Sequence, residues 1–94
     1  MAAYLIANVA VSNPEQYKQY QELSTHAQKT HGVRVLARGG ETRTLEGNAP
    51  TRTVIMEFDT LEAAEAFHAS PEYVAARQKR EGAAEMTMYV VQGL

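Results

Sequence analysis

Glu57 stands inside a run that is otherwise apolar, Val54-Ile55-Met56-Glu57-Phe58. An ionised carboxylate in such a place costs free energy unless it is paired. Arg38, Arg77 or Arg80 can supply the partner. As a structural ion pair it would fix the sheet or a contact between copies; in a site it would be a base with a tuned pKa. His26 falls near the apolar stripe of its helix, where it is either a proton carrier or a partly buried packing residue. Tyr17 and Tyr20 share one helix face, with phenols that either fill the core or line a pocket between helix and sheet. Arg38 followed by Gly39-Gly40 offers a guanidinium and backbone amides to an anion, although Gly-Gly after a strand is also ordinary turn chemistry. Tyr73 and Arg77 lie four apart on one helix face, placed to close one end of a cavity or to pack a short helix.

Other chemistries find no residues to run on. Cysteine is absent, which removes disulfides, thiolate nucleophiles and Cys-based zinc sites. The histidines are His26, His31 and His68; the first two, five apart, share no helix face, and no carboxylate pattern completes a ligand set. The expectation is therefore no metal and no cofactor. Ser70, before Pro71-Glu72, reads as a helix cap without the partners of a nucleophile. Nine basic and eleven acidic residues give a net charge of −2, which offers no footprint for nucleic acid or an anionic membrane. The apolar stretch Tyr4–Val11 is too short to span a bilayer and has no basic leader. Lack of cysteine fits a reducing compartment, so the expected location is cytoplasmic.

The elements that position these residues follow from periodicity. With 94 residues there is room for one domain over residues 1–94. Ala3–Val11 alternates as a strand with both faces largely apolar. Asn13-Pro14-Glu15 starts a helix whose stripe is Tyr17, Tyr20, Leu23 and Ala27, stopped by Gly32. Val33–Arg38 is a second strand, with Val33, Val35 and Ala37 alternating against Arg34, Leu36 and Arg38. A long polar connection leads to a third strand, Arg52–Phe58. Asp59-Thr60-Leu61-Glu62 fits an Asp-led capping box opening a second helix. Ser70-Pro71 opens a short helix to about Arg80, and Glu85–Gln92 is the last strand.

Strand, helix, strand, strand, helix, strand is the order of a ferredoxin-like α+β fold, a four-stranded antiparallel sheet with helices on one face. A sheet covered on one side should be polar on the other. Here the opposite face keeps Ile6 or Val9, Ile55 or Met56, and Tyr89 or Val90, whichever way each strand points. An apolar face of that size needs a cover. A second copy packed sheet against sheet, a symmetric homodimer, supplies it.

Arg38-Gly39-Gly40, Leu45-Glu46-Gly47, Met56-Glu57-Phe58 and Ser70-Pro71-Glu72-Tyr73, followed by Arg77 and Arg80, resemble the family catalogued as domain of unknown function 1330. The Tyr17 and Tyr20 pair matches as well, and the resemblance covers essentially the whole chain. It implies a dimeric α/β barrel, a fold shared by cofactor-free monooxygenases, small-molecule isomerases, haem-handling enzymes and proteins without known chemistry. Many relatives carry an aromatic residue after the Glu-Gly pair, whereas here Asn48-Ala49-Pro50 follows, which implies a difference in ligand size or affinity.

Three functions fit these residues: a cofactor-independent enzyme, monooxygenase- or isomerase-like, acting on a small and partly apolar molecule; a dimer that binds such a molecule without turnover; or a structural or interaction protein. In the first, Arg38 or Arg77 holds an anionic or enolate oxygen, Glu57 or His26 moves a proton, and the tyrosines shape the pocket. A pocket of roughly 300 Å³ or more holding Glu57 or Tyr20 favours the first two. A salt-bridged Glu57 with no cavity beside it favours the third.

Overall fold

The computed structural model describes all residues, Met1–Leu94. The order is β1 (Ala3–Val11), α1 (Pro14–Thr30), β2 (Arg34–Arg38), β3 (Arg52–Phe58), α2 (Leu61–His68), α3 (Pro71–Arg80) and β4 (Ala84–Gln92). The strands form one antiparallel sheet in the order β2-β3-β1-β4, the ferredoxin-like α+β arrangement. No helix is long and apolar enough to cross a membrane.

Each helix begins where a short polar side chain can accept from an orphan amide. Asn13 Oδ1 accepts from the Gln16 N–H at 3.2 Å, and Pro14 holds the first helical position of α1. Ser70 Oγ accepts from the Tyr73 N–H at 3.3 Å and donates to the Phe67 carbonyl at 2.7 Å, so it joins α2 to α3. At α2 the cap is Thr60, whose Oγ1 accepts from the Ala63 N–H at 3.0 Å, and not Asp59 as the box pattern suggested. Gln16 also donates from Nε2 to the carbonyls of Lys79 (2.9 Å) and Glu81 (2.8 Å), tying the start of α1 to the end of α3.

Register sets the two faces. Leu5 lies between Met56 and Val90, and Ala7 between Val54 and Met88, all toward the helices. Tyr17, Tyr20 and Ala27 of α1, Phe67 of α2, and Tyr73 and Ala76 of α3 close over them as one buried cluster. Burying a ring such as Phe67 stabilises the fold by about 1.5–3 kcal/mol. Ile55, Ile6 and Tyr89 form a row on the other face, where nothing in this chain covers them. Tyr89 and Val91 are 48% and 45% exposed there.

β2 departs from strict alternation. Val35 pairs with Met56 and Ala37 with Ile55, so Leu36 is an extra residue, a β-bulge. After it, Arg38 pairs with Val54 and reaches α1, on the opposite face from Arg34. The alternation read from sequence put those two arginines on one side; the bulge separates them. From Gly40 to Thr51 every residue of the β2–β3 connection is exposed, Leu45 at 94%.

Candidate functional site

Across the sheet, Arg38, Val54, Ala7 and Met88 occupy one register row, and Arg52, Val9 and Met86 the next. Ala7 is small and central, so α1 cannot close fully onto the strands. A cavity of about 90 Å³ remains between them, with Ala7, Val54, Met56, Met86 and Met88 as its floor. From α1, Tyr17, Tyr20, Ser24 and Gln28 form its roof, and Arg38 and Arg52 stand at the β2–β3 side. The walls are thus mostly apolar, with two cations and a few hydroxyl and amide groups.

Neither cation is neutralised. The ion pairs of the protein are His31–Glu72, Arg34–Glu57 and Arg43–Glu41, and none includes Arg38, Arg52, Arg77 or Arg80. Arg38 donates from Nη2 to Gln28 Oε1 at 3.1 Å, and Gln28 donates from Nε2 to Ser24 Oγ at 3.2 Å. Arg52 lies over the Tyr17 ring, Cζ 6.0 Å from its centroid, and its Nε is buried without a hydrogen-bond partner. Gly39 makes that position possible: its φ is +66°, and a Cβ there would fall on the Arg52 guanidinium.

Behind the cavity the phenols continue into a buried network. Tyr20 Oη and Tyr73 Oη are 2.6 Å apart, Arg80 donates to Tyr73 Oη at 3.3 Å, and Met88 Sδ lies 3.9 Å from it. Arg80 stacks over Tyr20 at 5.0 Å and Arg77 over Tyr73 at 6.0 Å, so each of the three buried tyrosines is faced by an arginine. Burial raises the Tyr17 hydroxyl above the ordinary tyrosine value, with Tyr20 adding to it and Arg52 opposing. Burial and the neighbouring Tyr73 raise Tyr20 well above it. Both are neutral donors at physiological pH.

The residues singled out from sequence divide among three places. Tyr17, Tyr20 and Arg38 line the cavity. Tyr73, wholly buried, and Arg77 stand behind it on α3. Glu57 points to the opposite face, where its partner is Arg34 rather than Arg38, Arg77 or Arg80. Arg34 Nη1 approaches Glu57 Oε1 at 2.7 Å, off the N–H axis, which leaves that oxygen without a directed hydrogen bond. Glu57 lines neither this cavity nor the wider groove between α2 and β4. His26 is exposed on the outside of α1 and is not part of the lining; it is close enough to Glu72 for its charge to be felt there.

Sequence reasoning missed Arg52, Ser24, Gln28 and Arg80 as members of the site. Arg52 was legible: stepping back by two from Phe58, Met56 and Val54 puts it on the helix-facing side, where a cation invites a question. Gln28, one turn beyond Ser24, is polar on the buried stripe of α1.

A family model described as Domain of unknown function (DUF1330) matches residues 2–94. The chain belongs to that family. No curated protein sequence matches it. Among solved structures, this DUF1330 chain is similar to a protein of unknown function from Rhodopseudomonas palustris, with TM-score 0.77 and 18% identity over 99% of this chain and 82% of the other. A dimeric protein of unknown function with a ferredoxin-like fold from Bacteroides fragilis aligns at TM-score 0.69 and 13% identity, covering 98% and 96%. SnoaB, a cofactor-independent oxygenase from Streptomyces nogalater, aligns at TM-score 0.63 and 7% identity, covering 99% and 93%. At these identities the likeness establishes the ferredoxin-like fold of the DUF1330 chain and leaves activity to be argued from the site.

Proposed function

We propose that the protein is a homodimer, paired through its open sheet face, that binds a small, partly apolar anion in the cavity under α1. The observation that carries this reading is the pair Arg38 and Arg52, two guanidiniums without carboxylate partners at one side of a largely apolar cavity. Arg52, half-buried with its Nε unpartnered, favours an anion from solution, and the more exposed Arg38 adds a second positive charge beside it. Binding is favoured over catalysis because the lining contains no carboxylate and no imidazole, and its two phenols are held neutral. The volume, about 90 Å³, falls short of the roughly 300 Å³ that would favour a drug-sized ligand, so the reading is confined to a molecule of few atoms. The dimeric Bacteroides fragilis neighbour supports the pairing, and the cysteine-free composition supports a cytoplasmic setting.

A structural role has one observation of its own: Glu57 is salt-bridged and lines neither the cavity under α1 nor the groove between α2 and β4. That observation belongs to the open face, so pairing and binding use opposite sides of one sheet.

Calorimetric titration with butanoate tests the binding reading, and native mass spectrometry tests the dimer. Replacing Arg52 with Gln should weaken butanoate at least about 10-fold, the scale of a hydrogen bond to a charged group. Equal affinity in the Arg52→Gln and Arg38→Gln variants would remove the anion site. A mass of one chain would remove the dimer.

A further inference from the structure

Ala7 is the smallest side chain on the cavity floor, and three of the side chains around it are of one kind. Its direct cross-strand neighbours are Val54 on β3 and Met88 on β4. Met56, opposite Leu5, and Met86, opposite Val9, are its diagonal neighbours on the same two strands. Diagonal neighbours in a sheet stand about 7–8 Å apart, within reach of a long side chain. Met56, Met86 and Met88 all line the cavity, and apart from Met1 they are the only methionines in the chain. No leucine, isoleucine or phenylalanine lines it.

The cationic part of the wall is held in place, whereas the apolar part is free to adapt. Arg38 is tethered through Nη2 to Gln28, and Arg52 is confined between Gly39 and the Tyr17 ring. A methionine side chain is unbranched, turns about three bonds and carries a polarizable thioether, so it fills irregular space. Met86 and Met88 are only half-buried, which leaves each without a full shell of neighbours to lock it. The one polar contact among them, Met88 Sδ to the Tyr73 hydroxyl at 3.9 Å, is a weak hold. A space bordered by three such side chains can change shape while the two guanidiniums stay where they are.

We propose that the site is a generalist for short carboxylates: Arg38 and Arg52 select the carboxylate, and Met56, Met86 and Met88 accommodate straight and branched carbon chains alike. This rests on the anion site described above and adds the class of ligand. Promiscuous binding surfaces use methionine in this way, since flexible side chains repack around each partner. Breadth has a cost in affinity, because side chains that order around a ligand lose conformational freedom.

Butanoate and 2-methylpropanoate contain the same atoms and differ only in branching, so preference between them reports the shape of the cavity. Calorimetric titration of the purified protein near pH 7.5 should give dissociation constants within about 3-fold of each other, where a fixed pocket separates ligands differing by one methylene about 10-fold or more. Met86→Ile combined with Met88→Ile puts stiff, β-branched chains on a strand that favours them, and should separate the two acids about 10-fold or more. Met86→Leu combined with Met88→Leu, a volume-conserving exchange that cores tolerate well, should separate them in the same sense. Double variants that stay as indifferent as the wild type, or that weaken both acids equally, overturn the role of the methionines. A wild-type preference of about 10-fold or more overturns the breadth and leaves the anion site standing. Binding of neither acid overturns the anion site itself, and this inference with it. Methionine methyl resonances give a readout that needs no variant: the cavity methionines should shift with both acids, and by different amounts with each. Resonances that do not move at saturation with either acid would mean a rigid floor and overturn the inference.

Discussion

Arg34 and Glu57 meet across β2 and β3, Nη1 2.7 Å from Oε1, on the face of the sheet turned away from the cavity. Arg34 is 73% exposed in its side chain while Glu57 is only 19% exposed, so the carboxylate is the member that depends on the pair. Covered by a second copy, the pair becomes a desolvated one, and removing a partner from such a pair costs about 2–5 kcal/mol. Arg34→Ala should therefore raise the dimer dissociation constant by roughly 30-fold or more, read by analytical ultracentrifugation over a dilution series. Butanoate affinity should stay within about two-fold at concentrations where the dimer persists. Lost ligand binding with an intact dimer would put Glu57 back into the site.

Gly39 shapes the cavity through a side chain it does not have. Its φ of +66° and the Arg52 guanidinium beside it both exclude a Cβ. Gly47 is the natural control, since its φ is +72° and nothing lies within 4 Å of where its Cβ would be. Both Gly→Ala variants should lose about 1–2 kcal/mol from the left-handed backbone alone. Only Gly39→Ala should also weaken carboxylate binding, because Arg52 must move. Parallel loss of binding in both variants would show that the loop as a whole, rather than this one contact, sets the site.

Ala7 lies on the cavity floor between Val54 and Met88. Ala7→Leu should fill the space, abolish butanoate binding and change stability by up to about 3 kcal/mol from overpacking. The dimer should be unaffected, since Ala7 faces the helices. Retained binding would place the ligand elsewhere, the groove between α2 and β4 being the next place to look by crystallography.

Glu72, in the first turn of α3, is held below its ordinary value of 4.5, chiefly by the hydrogen bond with His31 at 2.7 Å. A carboxylate whose pKa is lower in the folded state adds stability above its unfolded value, and that stability disappears as pH falls through the folded one. The melting temperature of the wild type should exceed that of Glu72→Gln near neutrality. Acidification from about pH 5 to about pH 3 should bring the two together. A constant gap over that window would mean that packing, not charge, distinguishes them.

Much of the fold was legible because local signals agreed with the global arrangement. β1, β3 and α3 lie where alternation, Ser70-Pro71 and Gly82 put them. That a second face is apolar was legible too, since either set of alternating residues is apolar; which set, Ile6, Ile55 and Tyr89, is decided by the register. What alternation cannot supply is the pairing of side chains across strands. Glu57 could be seen to need a cation, but register selects Arg34 directly opposite over the more distant arginines. His26 misled for a related reason: a stripe four turns long drifts round the helix, and by that turn Ala27 and Gln28 carry the buried side.

The site itself was only half legible. Tyr17 and Tyr20 announce themselves by spacing, but the Tyr20–Tyr73 contact joins residues 53 apart in sequence and exists only because α3 returns beside α1. An unpaired arginine is a statement about all its neighbours, which no local window contains.

The extra residue at Leu36 has a consequence for sidedness. With Leu36 kept in a regular ladder, Arg38 would share the open face with Arg34 and Glu57, two cations against one anion on the side proposed for pairing. The cavity would then keep Arg52 alone. Loss of one codon at position 36 would remove the bulge and leave Arg38 opposite Val54, still on the cavity side. Which side of the sheet Arg38 serves is thus set by how Leu36 is accommodated as much as by residue identity: pleated into the ladder, Leu36 would carry the Arg38 charge across the sheet.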